Sequence, residues 1–173
     1  MVERSQPASE APALAFEEFY SEEYKAVVGL AFALSGSRSG AEDLAQEAFL
    51  AAHRNWQRIG WYDQPGAWVR RVVANLSVSA VRRRVAEAKA LARVAAFGER
   101  TVVPDLAAAD PEFWAAVRSL PRRQAQVVAL FYLEDLAIAD VASILDLSPG
   151  TVKRHLHDGR RTLARRLDEE DPE

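Results

Sequence analysis

The stretch that most constrains this fold runs from Leu136 to Leu167, LAIADVASILDLSPGTVKRHLHDGRRTLARRL. Two helical patterns stand end to end there, with only Asp146-Leu147-Ser148 between them. Ser148 is a good helix N-cap, and Pro149 suits the first helical position, where its missing N–H costs nothing. Small Ala142 on the first helix, with Val152 and Leu156 on the second, supplies the apolar contacts that hold a helix-turn-helix at its angle. The second helix carries Lys153, Arg154, His157, Arg160 and Arg161 outward. An ordinary helical hairpin would satisfy the apolar pattern, but the short turn, Ser-Pro start and basic outer face favour a DNA-reading head. Asp146 stands where such turns usually carry Gly, at a left-handed position that Asp tolerates better than most residues.

Net charge argues the other way at first sight, at −3 for 173 residues. Its distribution resolves the conflict. Glu3, Glu10, Glu17, Glu18, Glu22 and Glu23 load the N-terminal part, and Asp168, Glu169, Glu170, Asp171 and Glu173 load the end. Between them, Gln64 to Arg84 holds Arg70, Arg71, Arg82, Arg83 and Arg84 without an acid. Such asymmetry implies localised polyanion contacts, with acidic segments that limit non-specific binding. The chain has no cysteine, which excludes disulfides and thiolate metal sites. No apolar run approaches the roughly 18 residues of a membrane span. The start, MVERSQPASEAPA, lacks the basic head and apolar block of a signal peptide. A soluble, cytoplasmic protein without membrane insertion is expected.

Residues 1–12 read as a disordered tail. Phe16, Phe19, Tyr20, Tyr24, Val27, Val28 and Ala31 follow helical spacing and predict an amphipathic helix from Ala13 to about Leu34. Ser35 to Gly40 is a stop and restart. A second helix is expected from Ala41 to Trp56, burying Leu44, Ala45, Ala48, Phe49, Ala52 and Trp56. Its other face presents Asp43, Gln46, Glu47, Leu50 and Arg54 at i, i+3, i+4, i+7 spacing. Gln57 to Gln64 reads as a loop. Pro65 then opens a third helix, with Trp68, Val69, Val72, Val73 and Leu76 inward and Arg71, Asn75, Val78 and Arg82 on another face; it extends to about residue 94. Residues 95–111, with Gly98, Pro104 and Pro111, form a linker. A second domain over 112–168 opens with a short helix carrying Phe113, Trp114 and Val117. A helix from Pro121 to Leu133 follows, with Ala125, Val128, Ala129 and Tyr132 inward, and then the helix-turn-helix. Residues 169–173 are an acidic tail. The class is all-α: two small helical domains, 13–94 and 112–168, joined by a flexible linker.

Two basic helices on one tether raise each other's effective concentration on a polyanion. Trp61 and Tyr62, just before the arginine helix, are either stacking platforms for unpaired bases or aromatics capping a helical core. Leu50, exposed amid acids, hints at a protein-binding patch. Enzymatic readings fare poorly. His155 and His157 are two apart on a helix and diverge, so no metal site is expected, and no Gly-rich phosphate loop or nucleophile motif is present. No cofactor or catalytic residue is expected.

Taken together, the segments AEDLAQEAFLAAHRNW, PGAWVRRVVANLSVSAVRRR and LPRRQAQVVALFYLEDLAIADVASILDLSPGTVKRHLHDGRRTLARRL resemble, in order and spacing, bacterial RNA polymerase sigma factors. The likeness is to the extracytoplasmic-function (group four) class of the sigma-70 family, similar to its actinobacterial SigE-like type. The resemblance implies that Asp43, Gln46, Glu47 and Leu50 lie on a helix that docks on the polymerase β′ clamp helices. It implies that Trp61, Tyr62, Arg70, Arg71, Asn75, Arg82 and Arg83 meet and melt the promoter −10 element, where one base leaves the stack. Ser148, Thr151, Lys153, Arg154, His157, Arg160 and Arg161 would meet the duplex −35 element. Implied partners are core RNA polymerase, through β′ clamp and β flap, promoter DNA both double-stranded and melted, and an anti-sigma factor. Ser79 stands where many members have Asp, and His157-Asp158-Gly159 departs from the usual Ser/Arg-rich continuation. The alternative is a stand-alone two-domain helix-turn-helix regulator, which would footprint DNA without polymerase.

Overall fold

The computed structural model describes residues 14–90 and 110–170, with side chains described at 14–77 and 110–167. The expected tail over 1–12, most of the linker over 95–111, the last residues of the acidic tail and the side chains of Arg82 and Arg83 lie outside the described residues. The elements described are all α-helices.

Helix α1 (Phe16–Ser35) places Glu17 and Glu18 in its first turn, where carboxylates complement the helix dipole. It ends on Gly36, whose left-handed φ of 76° lets its N–H reach back to the Phe32 carbonyl at 2.8 Å. Helix α2 (Arg38–Arg54) starts three residues earlier than the apolar pattern suggests. The reason is Ser37, whose hydroxyl accepts from the Gly40 N–H and makes the supposed turn residues the first turn of the helix. The stretch expected to be a loop after Trp56 holds the single turn α3 (Trp56–Ile59), with Ile59 fully buried. Helix α4 (Pro65–Ala90) opens on Pro65 as expected. Helix α5 (Pro111–Arg118) also opens on proline, capped by the Asp110 carboxylate, which accepts from the Phe113 N–H at 2.9 Å. Pro111, read from sequence as the last linker residue, is therefore the first helical one.

Helices α6 (Arg122–Tyr132), α7 (Ile138–Leu145) and α8 (Pro149–Glu170) complete the chain. The turn between α7 and α8 forms as the sequence requires. Asp146 takes φ 57° and ψ 51°, and its N–H and that of Leu147 both close on the Ala142 carbonyl. Ser148 caps α8, accepting from the Thr151 N–H at 3.1 Å. Val152 and Leu156 of α8 are buried together with Val141, Ala142 and Leu145 of α7.

The all-α class and the two expected helical units are both present, and the two units pack on each other: their buried residues form one contiguous cluster. Helices α5 and α6 pack on α1, and α7 packs on α4. The cause lies in α1 itself. Val27, Val28, Gly29, Leu30, Ala31, Ala33 and Leu34 are all buried, so this half of α1 is apolar around nearly its whole circumference and is covered from both sides. Tyr132, expected inward, is 42% exposed.

The left-handed Asp146 yields a direct prediction. Asp146→Val should cost about 1–2 kcal/mol, because a β-branched residue meets the full left-handed penalty. Asp146→Gly should stay within about 0.5 kcal/mol of the parent, since the exposed ion pair it removes contributes little. Thermal unfolding followed by circular dichroism measures both. Equal melting of the two variants would show that the turn imposes no such constraint.

Candidate nucleic-acid and docking surfaces

On α2, Asp43, Gln46, Glu47 and Leu50 all reach solvent along one face, and Leu50 is 55% exposed. The structure adds what sequence patterning missed. Leu50 edges an open groove of about 450 Å3 whose walls are Phe16, Tyr20, Gln46, Phe49 and His53. Phe16 lies edge-on to His53 at 4.8 Å and to Trp56 at 5.3 Å, while Tyr20 meets Phe49 at 4.8 Å. Aromatic positions that periodicity assigns simply to the core thus also line the side of a surface groove. A signal was available: Tyr20 and His53 are amphipathic residues with one polar edge each. The groove is mainly apolar, and Asp43 and Glu47 are exposed on the same helix as its Gln46, Leu50 and His53 walls.

Trp61 and Tyr62 are half-buried in tight turns after α3, their N–H groups bonding to the Arg58 and Ile59 carbonyls. Tyr62 packs against the core, so of the two readings open for this pair, it has at least the capping one. Along α4 the next candidates do not project freely into solvent. Arg70 donates to Glu23 on α1 at 2.6 Å and to Glu134, just after α6, at 2.7 Å. Arg71 pairs with Asp146 at 3.2 Å, and the Asn75 side-chain oxygen accepts from Arg122 at 3.2 Å. Burial is the largest influence on both members of the inner pair. It leaves the Glu134 carboxyl raised above the usual carboxylate range although Arg70 draws it down. For Arg70, burial works to lower the guanidinium, but Glu134 and Glu23 together outweigh it and hold the charge in place.

On α8, Lys153, Arg154, His157, Arg160 and Arg161 are exposed. Lys153, His157 and Arg160 follow one edge of the helix and Arg154 and Arg161 the next, as 3.6-residue spacing dictates. Ser148 is committed to capping, and its hydroxyl also bonds that of Thr151 at 2.8 Å. Arg160 is held rather than free: it donates to the Tyr132 hydroxyl at 2.5 Å and lies 5.5 Å over the Phe131 ring. The exposed Tyr132 therefore positions one of the basic side chains of α8. Gly159, an oddity in the sequence pattern, sits where a Cβ would meet the Val128 Cγ2 at 3.1 Å. It lets α8 lie close on α6, which sets the angle of the basic face. Among the described residues, no group of three or more His, Cys, Asp or Glu is placed to hold a metal ion, and no helix is long and apolar enough to cross a membrane.

A helix-turn-helix whose second helix exposes a row of basic side chains has the features of a DNA-binding protein. Residues 19–87 match the Sigma-70 region 2 family, and residues 111–163 match the Sigma-70, region 4 family. The ECF RNA polymerase sigma factor SigM of Mycobacterium tuberculosis is 30% identical, over 88% of this chain and 77% of that protein. SigW of Bacillus subtilis, another ECF sigma factor, is 27% identical over 80% of this chain and 81% of its own. Among solved structures, the sigma factor RpoE of Bartonella quintana, crystallised with the anti-sigma factor NepR, shares the fold. Its TM-score is 0.67 at 23% identity, covering 88% of this chain and 96% of that one. The chain belongs to the ECF group of sigma-70 RNA polymerase sigma factors, non-catalytic proteins that direct the polymerase to promoters.

The close approach at Gly159 is testable. Gly159→Leu should cost about 1–3 kcal/mol by overpacking. Urea unfolding measures it, and an unchanged midpoint would mean that α6 and α8 do not meet this closely.

Proposed function

We propose how the work is divided among the residues. Domain two, over residues 13–94, docks on core polymerase through Asp43, Gln46, Glu47 and Leu50. It then engages the −10 element through Trp61, Tyr62, Arg70, Arg71, Asn75, Arg82 and Arg83. Domain four, over residues 112–168, reads the −35 duplex through Ser148, Thr151, Lys153, Arg154, His157, Arg160 and Arg161. The observation that carries this reading is Leu50, 55% exposed on an acidic helix face beside an aromatic-walled groove. An exposed leucine edging an apolar groove suits a protein partner, which a stand-alone DNA-binding regulator does not require.

The mechanism follows from charge. With a net charge of −3, the chain has little long-range attraction for free DNA. Seated on polymerase, its two basic faces meet one duplex together, and the second contact becomes effectively intramolecular. Unpaired bases of the melted −10 strand then stack on the loop aromatics while arginines hold phosphates. The protein works where polymerase works, in the cytoplasm. The fold it shares with a sigma factor captured beside NepR supports an anti-sigma partner here too.

Exchanging Asp43 and Glu47 for Arg together should abolish co-purification with core polymerase and remove promoter-specific run-off transcription, with the helical circular dichroism spectrum unchanged. Undiminished co-purification would remove the docking assignment, and a promoter footprint without polymerase would favour the stand-alone regulator. Lys153→Ala should weaken binding to every −35 sequence alike and shallow the salt dependence, as loss of a phosphate contact does. Altered sequence preference in a binding-site selection would make Lys153 a base reader instead.

A further inference from the structure

Arg160 of α8 is held by another helix. Its guanidinium sits in a corner made by two rings of α6, 5.5 Å from the Phe131 centroid and 5.3 Å from that of Tyr132. The rings stand at 82° to each other with centroids 5.2 Å apart, so they flank the cation from two directions. Phe131 is packed against the core, and Gly159 brings α8 close enough to α6 for its neighbour Arg160 to reach the corner. Tyr132, by contrast, is exposed, the last residue of α6 and outside the set assigned to DNA above.

The corner leaves most of the hydrogen-bonding capacity unused. A guanidinium has several N–H donors, and Arg160 spends one, its Nε–H, on the Tyr132 oxygen. Its two terminal nitrogens have no partner among the described residues, and no described carboxylate pairs with it. A tyrosine hydroxyl both accepts and donates, so with its oxygen engaged by Arg160 the Tyr132 O–H proton is left to donate elsewhere. The pair therefore presents N–H and O–H donors side by side with one intact positive charge, at an exposed edge. That set matches the oxygens of a phosphodiester, which carry one negative charge and only accept.

Position selects the same ligand. Arg160 follows Lys153 on one edge of α8, two turns and about 10.5 Å farther along the axis. A recognition helix reads bases with its first turns, in a major groove about 12 Å wide. With Thr151 to Arg154 at the bases, Arg160 falls at the rim of the groove, where the sugar–phosphate strand runs. Reaching inward to a base edge would take it off both rings. We propose that Tyr132 and Arg160 form a two-residue site for one backbone phosphate flanking the −35 bases, in which Tyr132 both donates to the phosphate and positions Arg160. The proposal rests on the assignment of α8 to the −35 duplex. Because the corner exists before DNA arrives, little side-chain freedom is lost on binding. The site adds affinity and fixes register, and carries no base preference.

The test uses holoenzyme assembled from core polymerase and the full-length chain. Its probe is a fluorescent duplex recovered by binding-site selection with the parent, and anisotropy reads the affinity. Tyr132→Phe, which keeps the ring, should weaken binding about threefold to tenfold, as loss of one hydrogen bond does, with the salt dependence unchanged. Arg160→Ala should weaken it by about tenfold or more and shallow the log–log salt slope by about 0.9. Replacing single phosphates by neutral methylphosphonates should reveal one position, beside the −35 bases, that matters to the parent and not to Arg160→Ala. Beside Arg160→Ala, Tyr132→Phe should add less than about a twofold loss, because the two act on one phosphate. Tyr132→Phe that binds as the parent does overturns the proposal, as does a loss that persists in full beside Arg160→Ala or a changed sequence preference in either variant. A merely structural Tyr132 gives that persistent loss, so the double variant decides even if the urea midpoint falls. Lys153→Ala separates this site from the reading beneath it. If Lys153→Ala and Arg160→Ala both bind as the parent does, the assignment of α8 fails and the site with it; if only Lys153→Ala weakens binding, the site alone fails.

Discussion

Everything else in this structure depends on the burial of the second half of α1. From Val27 to Leu34 every residue but the half-buried Phe32 is buried. A helix apolar on nearly every side cannot end at one domain's surface; each uncovered Val or Leu would forgo about 1.5–3 kcal/mol. Helices α2 and α4 cover one side of it, and α5 and α6 come from the far half of the chain to cover the other. The chain therefore folds around α1 as one core, and the arginine-bearing face of α4 is carried against α7 and the residues beside it.

That placement couples packing to electrostatics. Burying apolar surface brings Arg70, Glu23 and Glu134 together out of water, where mutual attraction has to offset desolvation. The polar bonds nearby, Gln126 to the Ala74 carbonyl and Arg118 to the Ala33 carbonyl, keep buried backbone oxygens satisfied across the interface. Burial lowers the Arg118 guanidinium, though it remains a cation at the negative end of the α1 dipole. The apolar contacts give this interface its free energy, and the ion pairs fix where the two halves meet.

The surfaces left outside this core divide by chemistry. The α2 groove is mainly apolar, with Leu50 exposed at its edge. The α8 edge is basic and exposed, fit for a polyanion, with Arg160 steadied on Phe131 and Tyr132. The proposed division of labour uses both surfaces, one for polymerase and one for DNA.

Local chemistry made much of this legible beforehand. The Ser148-Pro149 start, the αL turn at Asp146 and the face carrying Asp43, Gln46, Glu47 and Leu50 depend on short-range periodicity and backbone preference, which sequence alone expresses. So did the all-helical class and the family. The start of α2 at Ser37 was misplaced, because a capping serine looks like a turn residue until its hydroxyl is seen to accept from Gly40. What only the tertiary structure decided was where the Leu136–Leu167 head sits relative to the arginine helix. Residues 70 and 134, or 71 and 146, are far apart in the chain, and no periodicity relates them. Their meeting follows from how a fully apolar stretch of α1 is shared between two halves, and shared burial is a property of the assembled core rather than of any one segment.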